Sequence, residues 1–289
     1  MKIQLKCLEC ALHSFLDLLE NFNIDAKTSE NLTREFLKYL SKLDYNISPP
    51  EIAKYIHQKI KIYINNPDPY KDKKHFFNKK IIDEYDKFYN IIKNSNNPFI
   101  TALKLCISGN IIDFGPNIPL AMEDTIKNAI NKNFAIDNTK ELLSDLKKAK
   151  KILYLTDNAG EIVFDKLFIQ ILLEKNIINK NKIIVATRGF PILNDATLED
   201  AHQIGLQNLV KLIHNGDSTP GTILQTTSKE FQKIFNESDL IISKGQGNFE
   251  TLNEIENKLI YFLFITKCPI IAKHIGVPLN SFICMRHFS

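Results

Sequence analysis

Two carboxylates and an amide, Asp157, Asn158 and Asp195, stand in two loops that each follow a short β-branched run, KILYLT and KIIVAT. Donors of this kind suit Mg²⁺ or Mn²⁺, hard cations that take carboxylate and carbonyl oxygens and keep several waters. A phosphate ester can replace some of those waters, and the cation then polarises the phosphoryl oxygens and lowers the pKa of a bound water. A second feature is Lys244-Gly245-Gln246-Gly247-Asn248. Bare glycine amides beside an ammonium can hold a dianionic phosphate. Loops that merely turn the chain are also rich in Gly, Asn and Asp. No single loop therefore decides the matter; convergence of several at one sheet edge would.

The elements that must position these residues can be read from periodicity. Residues 151–156, 182–187, 209–214, 240–243, 259–266 and 281–284 read as strands, alternating with helical stretches such as 160–175. Strands and helices in alternation predict right-handed crossovers and a mostly parallel sheet, an α/β fold. Ligands in such sheets bind beyond the carboxyl ends of the strands. The loops at those ends carry Asp157 to Glu161, Arg188-Gly189 with Asn194-Asp195, Asn215 to Ser218, and Lys244 to Asn248, and the fifth strand ends at Lys267. Ahead of them the chain reads as helices. The first starts at Cys7 and carries Leu8, Ala11, Leu12, Phe15, Leu18 and Leu19. A second starts near Ser29 as N-cap, and a third, opened by Pro50, covers 51–64. Residues 65–74 read as a polar loop, and helices follow over 81–93 and 98–107. The chain thus divides into a helical region, 1–137, and an α/β metal- and phosphate-binding domain, 138–289.

Composition narrows the classes. The 289 residues are 44% hydrophobic and 24% charged, with a formal net charge of +4, ordinary for a globular chain with a sizeable core. The charge is too small to imply nucleic acid, and no stripe of basic and aromatic residues appears. No run approaches the length of a membrane span. The N-terminal stretch, with Cys10, His13, Ser14 and Asp17, reads as an amphipathic helix and not a signal peptide, which places the chain in the cytoplasm. Five scattered cysteines do not form a secreted disulfide framework.

Several stretches, in order, resemble the DUF89 family of damage-control phosphatases, in its prokaryotic branch with an N-terminal CxxC. They are Cys7-Leu8-Glu9-Cys10, Asp68-Pro69-Tyr70, Ser108 to Gly115, Leu155 to Glu161, Ile192 to Thr197, Asn215-Gly216 with Pro220-Gly221-Thr222, Lys244 to Asn248, and Lys267-Cys268-Pro269. The resemblance implies a helical region packed on a three-layer α/β/α domain. It implies phosphatase activity on small phosphorylated metabolites, dependent on a divalent metal (Mn²⁺, Mg²⁺, Co²⁺ or Ni²⁺). The family's metal ligands fall on Asp157, Asn158 and Asp195, its strand-end lysine on Lys244, and its G-N-x-x-D segment on Asn110 and Asp113, closing the site from the helical side. Gly245 and Gly247 would meet the phosphate.

Other assignments stay open. Glu161 suits proton transfer or support of the site, and equally a first-turn acid favoured by the helix dipole. Asp165 reads as structural, and Arg188 either meets the substrate or, as the safer reading, is an exposed loop arginine. One CxxC cannot fill a tetrahedral zinc site. The nucleophile is a water or Asp157, with the D-x-D-x-T pattern of aspartyl-phosphate enzymes absent. Two further readings compete: an S-adenosylmethionine-dependent methyltransferase, which lacks its expected glycine-rich turn, and a non-catalytic phosphometabolite-binding module.

Overall fold

A computed structural model describes residues 1–109 and 128–288. The first three helices, α1 (Leu5–Asn21), α2 (Ala26–Leu40) and α3 (Pro49–Tyr63), enclose a small core of their own around Phe15, Phe36, Ile52, Ile56 and Ile60. The start of α2 is set by Asp25, whose side chain accepts a hydrogen bond from Thr28 N at 3.0 Å, so the helix begins ahead of Ser29. At α3 the Ser48/Glu51 capping box and Pro49–Pro50 fix the first turn. Next come α4 (Lys71–Asp83), α5 (Tyr85–Lys93) and α6 (Pro98–Ser108). The loop expected over 65–74 is therefore shorter, and α4 begins ten residues before the expected 81. Its buried side includes Lys74 and Asn78 beside Phe77 and Ile81. Polar residues at inward positions hide the helical period on which such readings depend.

Among the described residues the sheet has seven strands, β1 (Phe134–Asp137), β2 (Ile152–Leu155), β3 (Ile183–Thr187), β4 (Lys211–His214), β5 (Leu240–Lys244), β6 (Ile260–Ile265) and β7 (Phe282–His287), in the order β1-β7-β6-β5-β2-β3-β4. All neighbours are parallel except β6 and β7. β1, a four-residue edge strand, starts before the change of character seen at 138. The connecting helices are α7 (Thr139–Lys148), α8 (Glu161–Glu174), α9 (Leu198–Gln203), α10 (Lys229–Glu237), α11 (Gln246–Leu252) and α12 (Pro269–Ile275).

The sheet is covered on both faces, giving three layers. Along β2, Ile152 and Tyr154 join the core shared with α6, α7 and α8, while Leu153 and Leu155 join the core under α10, α11 and α12. Burial on both sides is why the central strands read as continuous apolar runs. On the first face, Phe88 meets Phe164 and Phe99 meets Phe168, at centroid separations of 5.2 and 5.8 Å. The helical region therefore packs on α8 directly. From β2 the chain moves outward to β3 and β4, then returns to place β5 on the opposite side of β2. The topological switch point is thus between β2 and β5, and the loops opening there carry Asp157 and Gly245.

Candidate metal and phosphate site

Past the end of β2 the chain makes a tight turn at Gly160, whose φ of 77° favours glycine, and enters α8 at Glu161. The loop after β3 folds back across this turn. Ala159 N donates to Asn194 O at 2.8 Å and Ala196 N to Asp157 O at 2.8 Å, so Asn158 and Asp195 stand opposite each other in a short antiparallel bridge. Arg188 N donates to Ala196 O at 3.0 Å and closes the loop on itself. Backbone hydrogen bonds thereby bring Asp157, Asn158 and Asp195 together, all three buried.

Arg188 is 2% exposed, which corrects its reading as a surface arginine. It follows the last residue of β3, and its side chain runs along the carboxylates. Nε donates to Asp195 Oδ2 at 2.6 Å, Nη1 to Asn248 Oδ1 at 3.1 Å, and Nη2 lies 3.8 Å from Asp157 Oδ1. Asn248 is held in turn by Thr222 and by the carbonyls of Thr156 and Lys244, to which its amide donates.

Lys244 ends β5 and is fully buried. Its ammonium donates to Glu161 Oε1 at 2.5 Å, Asp165 Oδ1 at 2.6 Å and Cys106 O at 2.8 Å, so three acceptors occupy its three protons. Tyr154 also donates to Asp165 Oδ1, at 2.7 Å. Asp165 is thus part of a buried charged cluster. Among the described residues the second oxygens of Glu161 and Asp165 have no hydrogen-bond partner.

The amide of Gly245 is spent on Leu263 O at 3.1 Å. What the residue supplies is the absence of a side chain: a Cβ there would stand 2.5 Å from Asp157 Oδ1. Gly247 lies in the first turn of α11 with its Cα against Pro220 O. Asn110 and Asp113 lie outside the described residues.

Four buried carboxylates (Asp157, Glu161, Asp165 and Asp195) thus share the site with two buried cations, Arg188 and Lys244. Burial, then Asp195, pushes the Asp157 carboxyl up to about 7, with Arg188, Lys244 and Lys267 pulling it back. Burial raises Asp195 against the pull of Arg188. It raises Glu161 to about 8 against Lys244, with Asp157 and Asp165 adding to the rise. Surplus negative charge without solvent favours protons or a further cation. Among the described residues no three His, Cys, Asp or Glu side chains form a metal-holding group. The donors available to a cation are therefore two carboxylates and the carbonyl oxygen of Asn158, whose Nδ2 is turned to Asp157 Oδ2 at 2.9 Å. This all-oxygen set fits a hard divalent ion that keeps waters.

A family model described as the damage-control phosphatase ARMT1-like domain matches residues 3–283. The chain belongs to this family, DUF89. A damage-control phosphatase of Pyrococcus horikoshii is 36% identical over 99% of both chains. A damage-control phosphatase of Archaeoglobus fulgidus is 32% identical over 98% of both. A crystal structure of a DUF89 family protein from P. horikoshii superposes with a TM-score of 0.85 at 34% identity, covering 99% of each chain. In this DUF89 chain, sequence reasoning missed Arg188 and Asp165 as members of the charged site, and α4 as an element touching it. Arg188 carried a usable signal, since it sits at a strand end beside Gly189. Asp165 carried a weaker one: it lies one helical turn after Glu161, on the same face of α8.

Proposed function

We propose that the chain is a divalent-metal-dependent phosphatase acting on small phosphorylated metabolites, sugar phosphates or related damaged phosphometabolites. The observation that carries this is the backbone bridge that sets Asn158 against Asp195, beside Asp157, in a buried cluster with more carboxylates than cations. Asp157, Asn158 and Asp195 would hold the cation (Mn²⁺, Mg²⁺, Co²⁺ or Ni²⁺). Bound there, it supplies Lewis-acid polarisation of a phosphoryl group and of a water. The names of the P. horikoshii and A. fulgidus relatives support the reaction class.

The chain's own residues divide the remaining work. Arg188 holds Asp195 and lies beside Asp157, so the donors are oriented before substrate arrives. Lys244 holds Oε1 of Glu161, and among the described residues Oε2 has no hydrogen-bond partner, which suits Glu161 to carry a proton. The positive charge of Lys244 acts on the site through Glu161 and Asp165. Both oxygens of Asp157 have close neighbours, Asn158 on one and Arg188 on the other. That supports water as the attacking group over Asp157. The Gly245–Gly247 turn and the segment bearing Asn110 and Asp113 would frame the phosphate.

The test is a panel of phosphorylated metabolites assayed for phosphate release with each of the four metals and with chelator. Metal-dependent release from at least one phosphomonoester is expected. Phosphate-ester binding without turnover across the whole panel would move the assignment to a binding module. Uptake of S-adenosylmethionine in calorimetry with no phosphate release would move it to a methyltransferase.

A further inference from the structure

We propose that Asn78, on α4, is a positioning residue that clamps the two donor-bearing loops together from the helical region. The clamp rests on the metal-site reading above for its consequence, though not for its geometry. Asn78 is fully buried. Its Oδ1 accepts from Gly160 N at 2.7 Å, and its Nδ2 donates to Asp200 Oδ1 at 3.0 Å and to Gln203 Oε1 at 2.8 Å. The acceptor and both donor hydrogens of one amide are thereby engaged.

The partners tie into the two loops that carry the donors: Gly160 lies in the first, and Asp200 and Gln203 lie in α9, which follows the second. Gly160 closes the turn that begins at Asp157. Asp200 caps the end of the other loop: its Oδ2 accepts from Thr197 N and Thr197 Oγ1, both at 2.8 Å, two residues after Asp195. One bond therefore connects Asn78 to the first loop, and a path through Asp200 connects it to the second. Lys74, one turn earlier on α4, pairs with Asp68 at 2.8 Å and with Asp200 at 3.4 Å, a second tie from α4 to the same carboxylate.

Only a side chain with an acceptor and a donor on one short stem fits this position. A carboxylate would keep the bond to Gly160 but face Asp200 with a like charge. Leucine would keep the volume and lose both ends of the clamp. Metal-site partners of this supporting kind change metal affinity or activity by about 10- to 100-fold when removed.

The experiment compares the native full chain with Asn78→Asp and Asn78→Leu, by two measurements. The first is amide hydrogen exchange in the presence of chelator. The native Gly160 amide is expected to be protected; Asn78→Leu is expected to exchange at least about tenfold faster over 157–163 and 194–200, and Asn78→Asp over 194–200 with Gly160 still protected, β2 and β5 being unchanged in both. Rapid exchange of native Gly160, or loosening spread evenly over the sheet, overturns the clamp. The second is Mn²⁺ calorimetry. A dissociation constant raised about 10- to 100-fold in the folded variants is expected; one within twofold of native overturns the role in the metal site. Should the native chain take up no metal, the metal reading falls on that result and exchange alone decides the clamp. If neither variant folds, protection of the native Gly160 amide remains decisive.

Discussion

Replacing Gly245 by alanine tests the site more sharply than removing a ligand does, because it adds one methyl group and takes no donor away. The backbone at Gly245 has φ 80° and ψ 158°. That region is essentially restricted to glycine and costs another residue on the order of 1–3 kcal/mol. The added Cβ would also stand 2.5 Å from Asp157 Oδ1, where ordinary contacts begin at 3.4 Å, and closer still to Cγ and Oδ2. Asp157 must therefore retreat by about 1 Å, a displacement that typically costs on the order of 10²-fold in rate. It has little room to do so, since Ala196 N holds its carbonyl and Asn158 its carboxylate. Gly276→Ala is the control. Gly276 also has a positive φ, 74°, but nothing lies within 4 Å of the added Cβ. Both variants should lose stability in urea unfolding, and only Gly245→Ala should lose Mn²⁺ binding and about 10²-fold of Mn²⁺-dependent p-nitrophenyl phosphate turnover. If Gly245→Ala binds Mn²⁺ and turns over within twofold of native, the Asp157 carboxylate is not where the reaction needs it.

Three further outcomes are expected. Asp195→Ala should abolish most phosphate release even with excess Mg²⁺ or Mn²⁺; near-native turnover would remove Asp195 from the ligand set. Arg188→Met leaves two buried carboxylates without their opposing cation and should destabilise the metal-free chain by about 3–5 kcal/mol. Saturating Mn²⁺ should recover part of that loss, and an equal deficit with and without metal would reduce Arg188 to a packing role. Asp157, pushed up to about 7, binds its proton more tightly in the folded chain than in the unfolded one. Its contribution to metal-free stability is therefore complete below pH about 4 and lost as pH rises through about 7. In a pH series of unfolding curves Asp157→Asn should flatten that decline, and the rise in melting temperature on adding Mn²⁺ to the native chain should grow over the same interval.

The parallel sheet was legible because its strands are buried on both faces, so KILYLT and KIIVAT stand out as unbroken apolar runs. The loops bearing Asp157, Asn158 and Asp195 followed from the strand ends. β1 was not legible: four residues, alternately half-buried and exposed at an edge, offer too little pattern. α4 was hidden because Lys74 and Asn78 occupy its inward side for the sake of Asp68, Asp200 and Gly160, partners that no local period announces. The destination of Lys244 was equally invisible. Its position beside glycines suggested a phosphate, and only the fold shows that α8 turns Glu161 and Asp165 towards it.

The position of β7 has a consequence for how the molecule is assembled. Among the described strands β1 is joined to the rest of the sheet through β7 alone, and β7 follows all the others in the chain. During synthesis β2 to β6 can therefore align early, while the 134–137 segment must wait without a pairing partner until residues 282–287 emerge. Such late, distant pairing is slow and leaves hydrogen-bonding groups open in the meantime. Nascent chains stalled before residue 282 should accordingly carry an ordered central sheet and a protease-sensitive stretch around β1.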